Sequence, residues 1–448
     1  MAKITYDMFS DEQKLAYTEM IKWIESPKRE FLLTGYAGTG KTTIVRAILD
    51  YTNAKNLRVA CTAPTNEAVR VISSTTGTRY DKTIFGLMGL QLVEEDDKEP
   101  VIKPIGDSHI EEYDLIIVDE SSMIYDELYR MVMLEIKSHS RAKILWVGDE
   151  AQLPPVKDKT PSPVFKVTPT ASLVNVQRAA AGNPIIGVCT LIRSDQTVEN
   201  DLFARDTIIN HEDSTGIEFI DDPHQFIRMA CAEYSSQHFA DDPMWCKVLC
   251  YTNKSVDFMN RKIREKIFPM SGTALPEYLA GDLLVADAPI IKQVGRVKKI
   301  ILTVGERLRV ISAKKHTDPE YLFDFWDIHA ETFDSEEVVK HHLSVVASTG
   351  MNSYKYALTK LATQAKERMY TKHIPKSAAW KPYFAFKESY HKMKYYYAQT
   401  VHKSQGGTFR NVYVIERDIN KLTWDDVERN KLKYVAFSRA SHLLRILH

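Results

Sequence analysis

At 448 residues, with 44% hydrophobic and 26% charged residues, the chain has the size and make-up of an ordinary soluble globular protein of several domains. Its 59 basic and 59 acidic side chains cancel, so bulk charge gives no sign of a polyanion partner, although local patches can still bind one. No apolar run is long enough to cross a membrane and no leader segment stands out, while Cys61, Cys189, Cys231, Cys246 and Cys250 are scattered without metal-ligand spacing. They are expected to be buried free thiols in a reducing, cytoplasmic compartment.

The first predicted strand, Phe31–Thr34, runs into GYAGTGKTT at Gly35–Thr43, and the helical pattern Ile44–Leu49 follows. This is a P-loop in the context its chemistry needs: backbone N–H groups wrap phosphates, and the following helix N-terminus favours anions. Gly35, Gly38 and Gly40 permit the tight backbone path around Thr39. Lys41 is placed to reach terminal phosphates, Thr42 completes the motif and offers a hydroxyl to Mg²⁺, and Thr43 follows it in the site. The motif predicts a site for a nucleoside triphosphate.

Further apolar strands are expected at Leu57–Thr62, Asp114–Val118 and Lys143–Gly148, separated by helices, as in a parallel sheet covered on both faces. In such sheets ligands bind at the strand C-termini, where the P-loop, Asp119-Glu120 and Asp149 all fall. Between the second and third strands, Gly89–Ile105 could form a hairpin pairing Leu90–Val93 with Val101–Lys103 around an acidic tip, Glu94–Glu99; a charged loop fits the same residues. A second set of elements begins at Lys247–Tyr251 and resumes with Asn411–Ile415, a helix at Leu432–Arg439 and Leu443–Leu447. The intervening stretch is β-rich (Ile300–Ala313, Tyr321–Thr332, His342–Ala347), then helical (Tyr354–Tyr370), then rich in Lys and aromatics (Trp380–Tyr397). That last pattern suits single-strand binding or a half-buried structural segment equally.

Five further motifs follow the P-loop in chain order: APTNEA (Ala63–Ala68), DESSM from Asp119, GDEAQLPPV (Gly148–Val156), TVHKSQGGTF (Thr400–Phe409) and YVAFSRA (Tyr434–Ala440). Together they resemble superfamily 1 helicases, and within them the RecD-like, 5′-to-3′ branch of small phage Dda-type enzymes. The resemblance implies an α/β fold with two RecA-like P-loop NTPase domains. The first, residues 1–175, would carry the hairpin, and the second would comprise residues 176–280 and 395–448. An SH3-like plus helical insertion would fill residues 281–394. It also implies ATP and Mg²⁺ as cofactors and single-stranded DNA and duplex junctions as partners. Replication or recombination proteins are further partners, and the motor would be monomeric, working in the host cytoplasm if phage-encoded. The same motor motifs are compatible with an RNA helicase or a nucleotide-gated loading ATPase.

Roles follow residue by residue. Asp119 suits a water-mediated Mg²⁺ contact and Glu120 the orientation or deprotonation of the attacking water. By resemblance, Gln152 is the γ-phosphate sensor, Arg178 and Arg439 present guanidinium groups to the γ-phosphate, and Gly407 belongs to the nucleotide site. Gln13 matches the glutamine that reads adenine, although a glutamine on an exposed helix looks the same in sequence. Pro64, Thr65, Asn66, Thr83, Thr400, His402 and Lys403 match DNA-backbone contacts, which set register without reading sequence.

Overall fold

In a computed structural model, described residues are 6–77, 82–93, 101–139, 141–155, 158, 160–175, 182–194, 207–210, 215–269, 274–294, 297–333, 338–371 and 373–448. The chain forms two compact units, Met1–Asp257 with Gln399–His448, and Phe258–Ala398.

The first unit holds two sheets. In one, β1 (Glu30–Gly35), β2 (Val59–Thr62), β5 (Leu115–Val118), β6 (Lys143–Gly148) and β7 (Thr170–Leu173) run parallel in the order β2-β5-β6-β1-β7. Strand alternation divides their apolar side chains between two faces. Leu32, Ile116, Val118, Ile144 and Trp146 pack with Leu128, Val132 and Ile136 of the helix Asp126–His139. Phe31, Leu33, Leu115, Ile117, Leu145 and Val147 pack on the other face against Met20, Trp23, Ile44 and Ile48. The hairpin expectation holds for its arms: β3 (Leu90–Val93) and β4 (Val101–Pro104) pair antiparallel. Its tip, Glu94–Glu99, lies outside the described residues.

The second sheet comprises β8 (Ile208–Asn210), β9 (Thr215–Ile220), β10 (Cys246–Cys250), β18 (Ala398–Thr400), β19 (Phe409–Ile415) and β20 (Ala440–Leu447), ordered β18-β10-β19-β20-β9-β8. The pairs β10–β19, β19–β20 and β20–β9 are parallel, and β8 joins β9 antiparallel. The five cysteines are buried and none forms a disulfide, as expected.

The second unit is built on an antiparallel sheet of β11 (Leu283–Ala286), β14 (Arg307–Thr317), β15 (Asp324–Thr332), β16 (Lys340–Val346) and β17 (Met393–Tyr395), ordered β16-β15-β14-β11-β17. The unit also holds a separate hairpin, β12 (Ile290–Val294) with β13 (Val297–Leu302), and the helices Met351–Thr371 and Lys376–Glu388. The Lys- and aromatic-rich segment is partly structural. Phe386 and Tyr390 pack edge-on or stacked with Phe323 and Tyr354, at centroid separations of 5.2–6.1 Å. Phe384 stays half exposed.

Candidate nucleotide site and nucleic-acid face

The P-loop leaves β1 at Gly35 and turns into the helix Lys41–Ala54 through two left-handed glycines, Gly38 (φ 78°) and Gly40 (φ 84°). Gly35 is required by proximity instead: a Cβ there would lie 2.8 Å from Thr39 Oγ1 and 2.9 Å from the Leu173 carbonyl oxygen. Lys41 Nζ donates to the carbonyls of Gly35 (2.6 Å) and Tyr36 (3.1 Å), which holds the ammonium over the loop. Thr39 is buried with its hydroxyl donating to Tyr36 O at 2.8 Å, and Thr42 and Thr43 lie in the helix's first turn. Gln13 is buried, not on an exposed helix face. Its Oε1 accepts from Ser10 N–H (3.1 Å) in a capping box, and its Nε2 donates to the Thr39 carbonyl (3.3 Å), tying the first helix to the P-loop.

Asp119 and Glu120 stand at the C-terminal end of β5, beside the P-loop strand's neighbour. The Asp119 N–H donates to Thr62 O (2.9 Å), and the Glu120 N–H donates to Asp119 Oδ1 (2.9 Å). Burial, then the adjacent Glu120 carboxylate, lifts the Asp119 carboxyl to about 6, against the pull of the Glu120 N–H, Lys41 and Arg439. Glu120 itself sits at φ 51°, a left-handed conformation that costs a non-glycine residue about 1–3 kcal/mol and is characteristic of functional sites.

Arg439 arrives from the end of the helix Asp426–Phe437 of the second sheet, 5% exposed, with Nη1 3.8 Å from Glu120 Oε1. Its guanidinium is fixed by three donations: Nε to Val435 O (3.1 Å), Nη1 to Gly407 O (3.1 Å) and Nη2 to Ser438 Oγ (3.1 Å). Gly407 therefore enters the site through its carbonyl. Gln152 is buried, and its Oε1 makes no hydrogen bond within the protein. Elsewhere in the motifs Ser121 Oγ, Ser122 Oγ and Gln405 Nε2 are also buried without a hydrogen-bond partner. An orphaned buried polar atom costs about 1–3 kcal/mol, so each of these motif side chains keeps hydrogen-bonding capacity that a polar ligand could satisfy. Gln405 went unnoticed in the sequence although it lies inside TVHKSQGGTF. Arg178 lies outside the described residues.

On the nucleic-acid side, Thr65 and Thr83 are helix N-caps, their hydroxyls accepting from Ala68 N–H and Gly86 N–H at 3.2 Å each. Pro64 and Asn66 flank Thr65 and are half-buried. Thr400 Oγ1 accepts from Lys403 N–H (3.4 Å), and Lys403 is exposed. Burial lowers the His402 pKa below its ordinary value, which favours the neutral imidazole. The loops that carry these two groups of candidate residues adjoin. Gly406, at φ 79°, approaches the helix Asn66–Thr76 so closely that a Cβ would fall 2.5 Å from Ala68 Cβ. Gly406→Ala is thus expected to cost about 2–6 kcal/mol from strain and overpacking together. Chemical denaturation checks this, and a loss below about 1 kcal/mol would show that the loop moves aside freely.

Comparison with known proteins places three family models along the chain: an AAA domain at residues 8–213, a Dda helicase SH3 domain at 276–395 and a UvrD-like helicase C-terminal domain at 395–447. The chain is 27% identical to the ATP-dependent DNA helicase dda of Enterobacteria phage T4, over 98% of this chain and 99% of that one. It is 38% identical to the ATP-dependent RecD2 DNA helicase of Deinococcus radiodurans over 35% of this chain and 21% of the relative. In fold it is similar to Bacteroides Pif1 bound to single-stranded DNA (TM-score 0.50, 16% identity, covering 98% of this chain and 92% of that one). With the ordered motifs and the two parallel sheets, these matches are consistent with a superfamily 1 helicase of the Dda/RecD type.

Proposed function

We propose that the protein is an ATP-dependent DNA helicase that moves 5′ to 3′ on single-stranded DNA and separates duplexes ahead of it. The observation that carries the reading is the composite site. Arg439, from the helix before β20, comes within 3.8 Å of Glu120 at the end of β5, so hydrolysis needs both sheets in register. We assign residues 1–175 and residues 176–280 with 395–448 to the two motor halves, and 281–394 to the accessory insertion.

In this reading Lys41 and the P-loop N–H groups hold the phosphates, Gln13 sits behind Thr39 toward the base, and Glu120 orients and deprotonates water. Gln152 senses the γ-phosphate, and Arg439, with Arg178, stabilises charge spreading in the transition state. The donor set fits Mg²⁺: a hydroxyl from Thr42 and a carboxylate from Asp119, whose pKa is raised by burial first and by the Glu120 carboxylate second, so that a nearby cation would favour its ionised form. Held there, the ion would supply positive charge that offsets the charge developing on the phosphates. Pro64, Thr65, Asn66, Thr83, Thr400, His402 and Lys403 grip the strand by its backbone, and closure of the two halves shifts one grip past the other. The β3–β4 hairpin is the strand-separating element, acting by obstruction.

ATP-dependent unwinding of a duplex with either a 5′ or a 3′ single-stranded tail tests the reading. Strand separation is expected only from the 5′ tail. Separation only from the 3′ tail would overturn the direction, and none from either would overturn the function.

A further inference from the structure

The helicase motifs leave unexplained how the second half grips the P-loop. Tyr434, 2% exposed, accepts a hydrogen bond from the Ala37 N–H (3.1 Å) and donates to Asp149 Oδ2 (2.5 Å). Asp149 is 1% exposed and in turn orders the loop bearing Gln152, accepting from the Ala151 N–H through Oδ1 (3.0 Å) and from the Gln152 N–H through its carbonyl (3.2 Å). One residue earlier in the P-loop, the Tyr36 ring carries the Arg193 guanidinium 3.4 Å from its centroid, from the helix Pro184–Ser194. Ala37, Ala151 and Leu153 also pack into the apolar core of the second sheet beside Tyr434, Phe437 and Ile185.

We propose that Tyr434, assisted by Arg193, is a positioning residue that ties the P-loop to the second sheet. Displacement of residues 36–37 by phosphate then passes directly to the Gln152 loop and to the helix that carries Arg439. P-loop N–H groups are phosphate donors, so the Tyr434 hydroxyl and the nucleotide draw on the same strand of backbone. The inference rests on the helicase reading.

The test compares wild type, Tyr434→Phe and Arg193→Gln for DNA-stimulated kcat, KM for ATP, and ATP consumed per base pair unwound. Tyr434→Phe keeps the buried ring and removes the hydroxyl. Its kcat is expected to fall about tenfold, with KM for ATP within about twofold and ATP per base pair rising severalfold. Arg193→Gln is expected to raise ATP per base pair about two- to threefold. If wild type unwinds normally and both variants match it in ATP per base pair, the coupling role is overturned while the helicase reading stands. Should Tyr434→Phe fail to fold, as judged by its melting transition, Arg193→Gln alone decides: unchanged coupling overturns the proposal. A wild type without DNA-stimulated turnover would overturn the underlying reading instead.

Discussion

Glu120→Gln lowers DNA-stimulated ATP turnover by about 10²–10⁴-fold, the range expected when a general base is removed, while ATP and single-stranded DNA still bind. The substitution changes little else. Gln is isosteric, meets the same left-handed backbone at φ 51°, and keeps the N–H donated to Asp119 Oδ1. It removes one charge from a pair in which Glu120 is the second-largest influence raising the Asp119 pKa, after burial. Asp119 should therefore ionise more easily in the variant, and weakened metal binding would not explain lost turnover. Phosphate release at saturating ATP and DNA gives the rate, and fluorescence anisotropy of a labelled oligonucleotide gives the retained affinity. Turnover equal to wild type would remove Glu120 from the mechanism.

Much of this site was legible because its chemistry demands particular residues at fixed spacing. A P-loop admits few substitutions at Gly38, Gly40 and Lys41, and strands such as LIIV at Leu115–Val118, all four residues buried, announce a central parallel strand. The residues that were missed do their work through distant partners. β9, TGIEFI, carries Glu218 in a strand, which single-strand patterning disfavours. The charge is held by Arg445 of β20 at 2.9 Å, and Arg445 also meets Glu233 at 2.9 Å. β7 shows only two buried residues in four and, among the described residues, lies at the sheet edge beside β1, so its apolar signal is weak. Tyr434 and Asp149 sat inside quoted motifs, yet nothing in a linear reading joins positions 285 residues apart in the chain. Gln13 shows the converse: the sequence offers either an adenine-reading glutamine or an exposed helix glutamine, and the structure buries the side chain with its Nε2 donating to the Thr39 carbonyl.

Arg439→Ala lowers kcat by about 10³–10⁵-fold, as removal of an arginine finger does, with the KM for ATP changed far less. The reasoning lies in where the charge sits. The guanidinium is buried, 3.8 Å from Glu120, and aimed at the end of β5 where transition-state charge would spread. An interaction realised mainly as that charge develops raises kcat without tightening the ground state. Arg439→Lys is not expected to rescue the rate. The three donations to Val435 O, Gly407 O and Ser438 Oγ come from three different nitrogens of one planar fork. A lysine ammonium offers a single point from which no such orientation can be fixed. Steady-state kinetics on the Ala and Lys variants, with saturating DNA, separate the possibilities. Equal losses in kcat and in ATP affinity would make Arg439 a ground-state phosphate ligand, and substantial rescue by Lys would show that charge alone, rather than the geometry of the fork, is what the second sheet supplies.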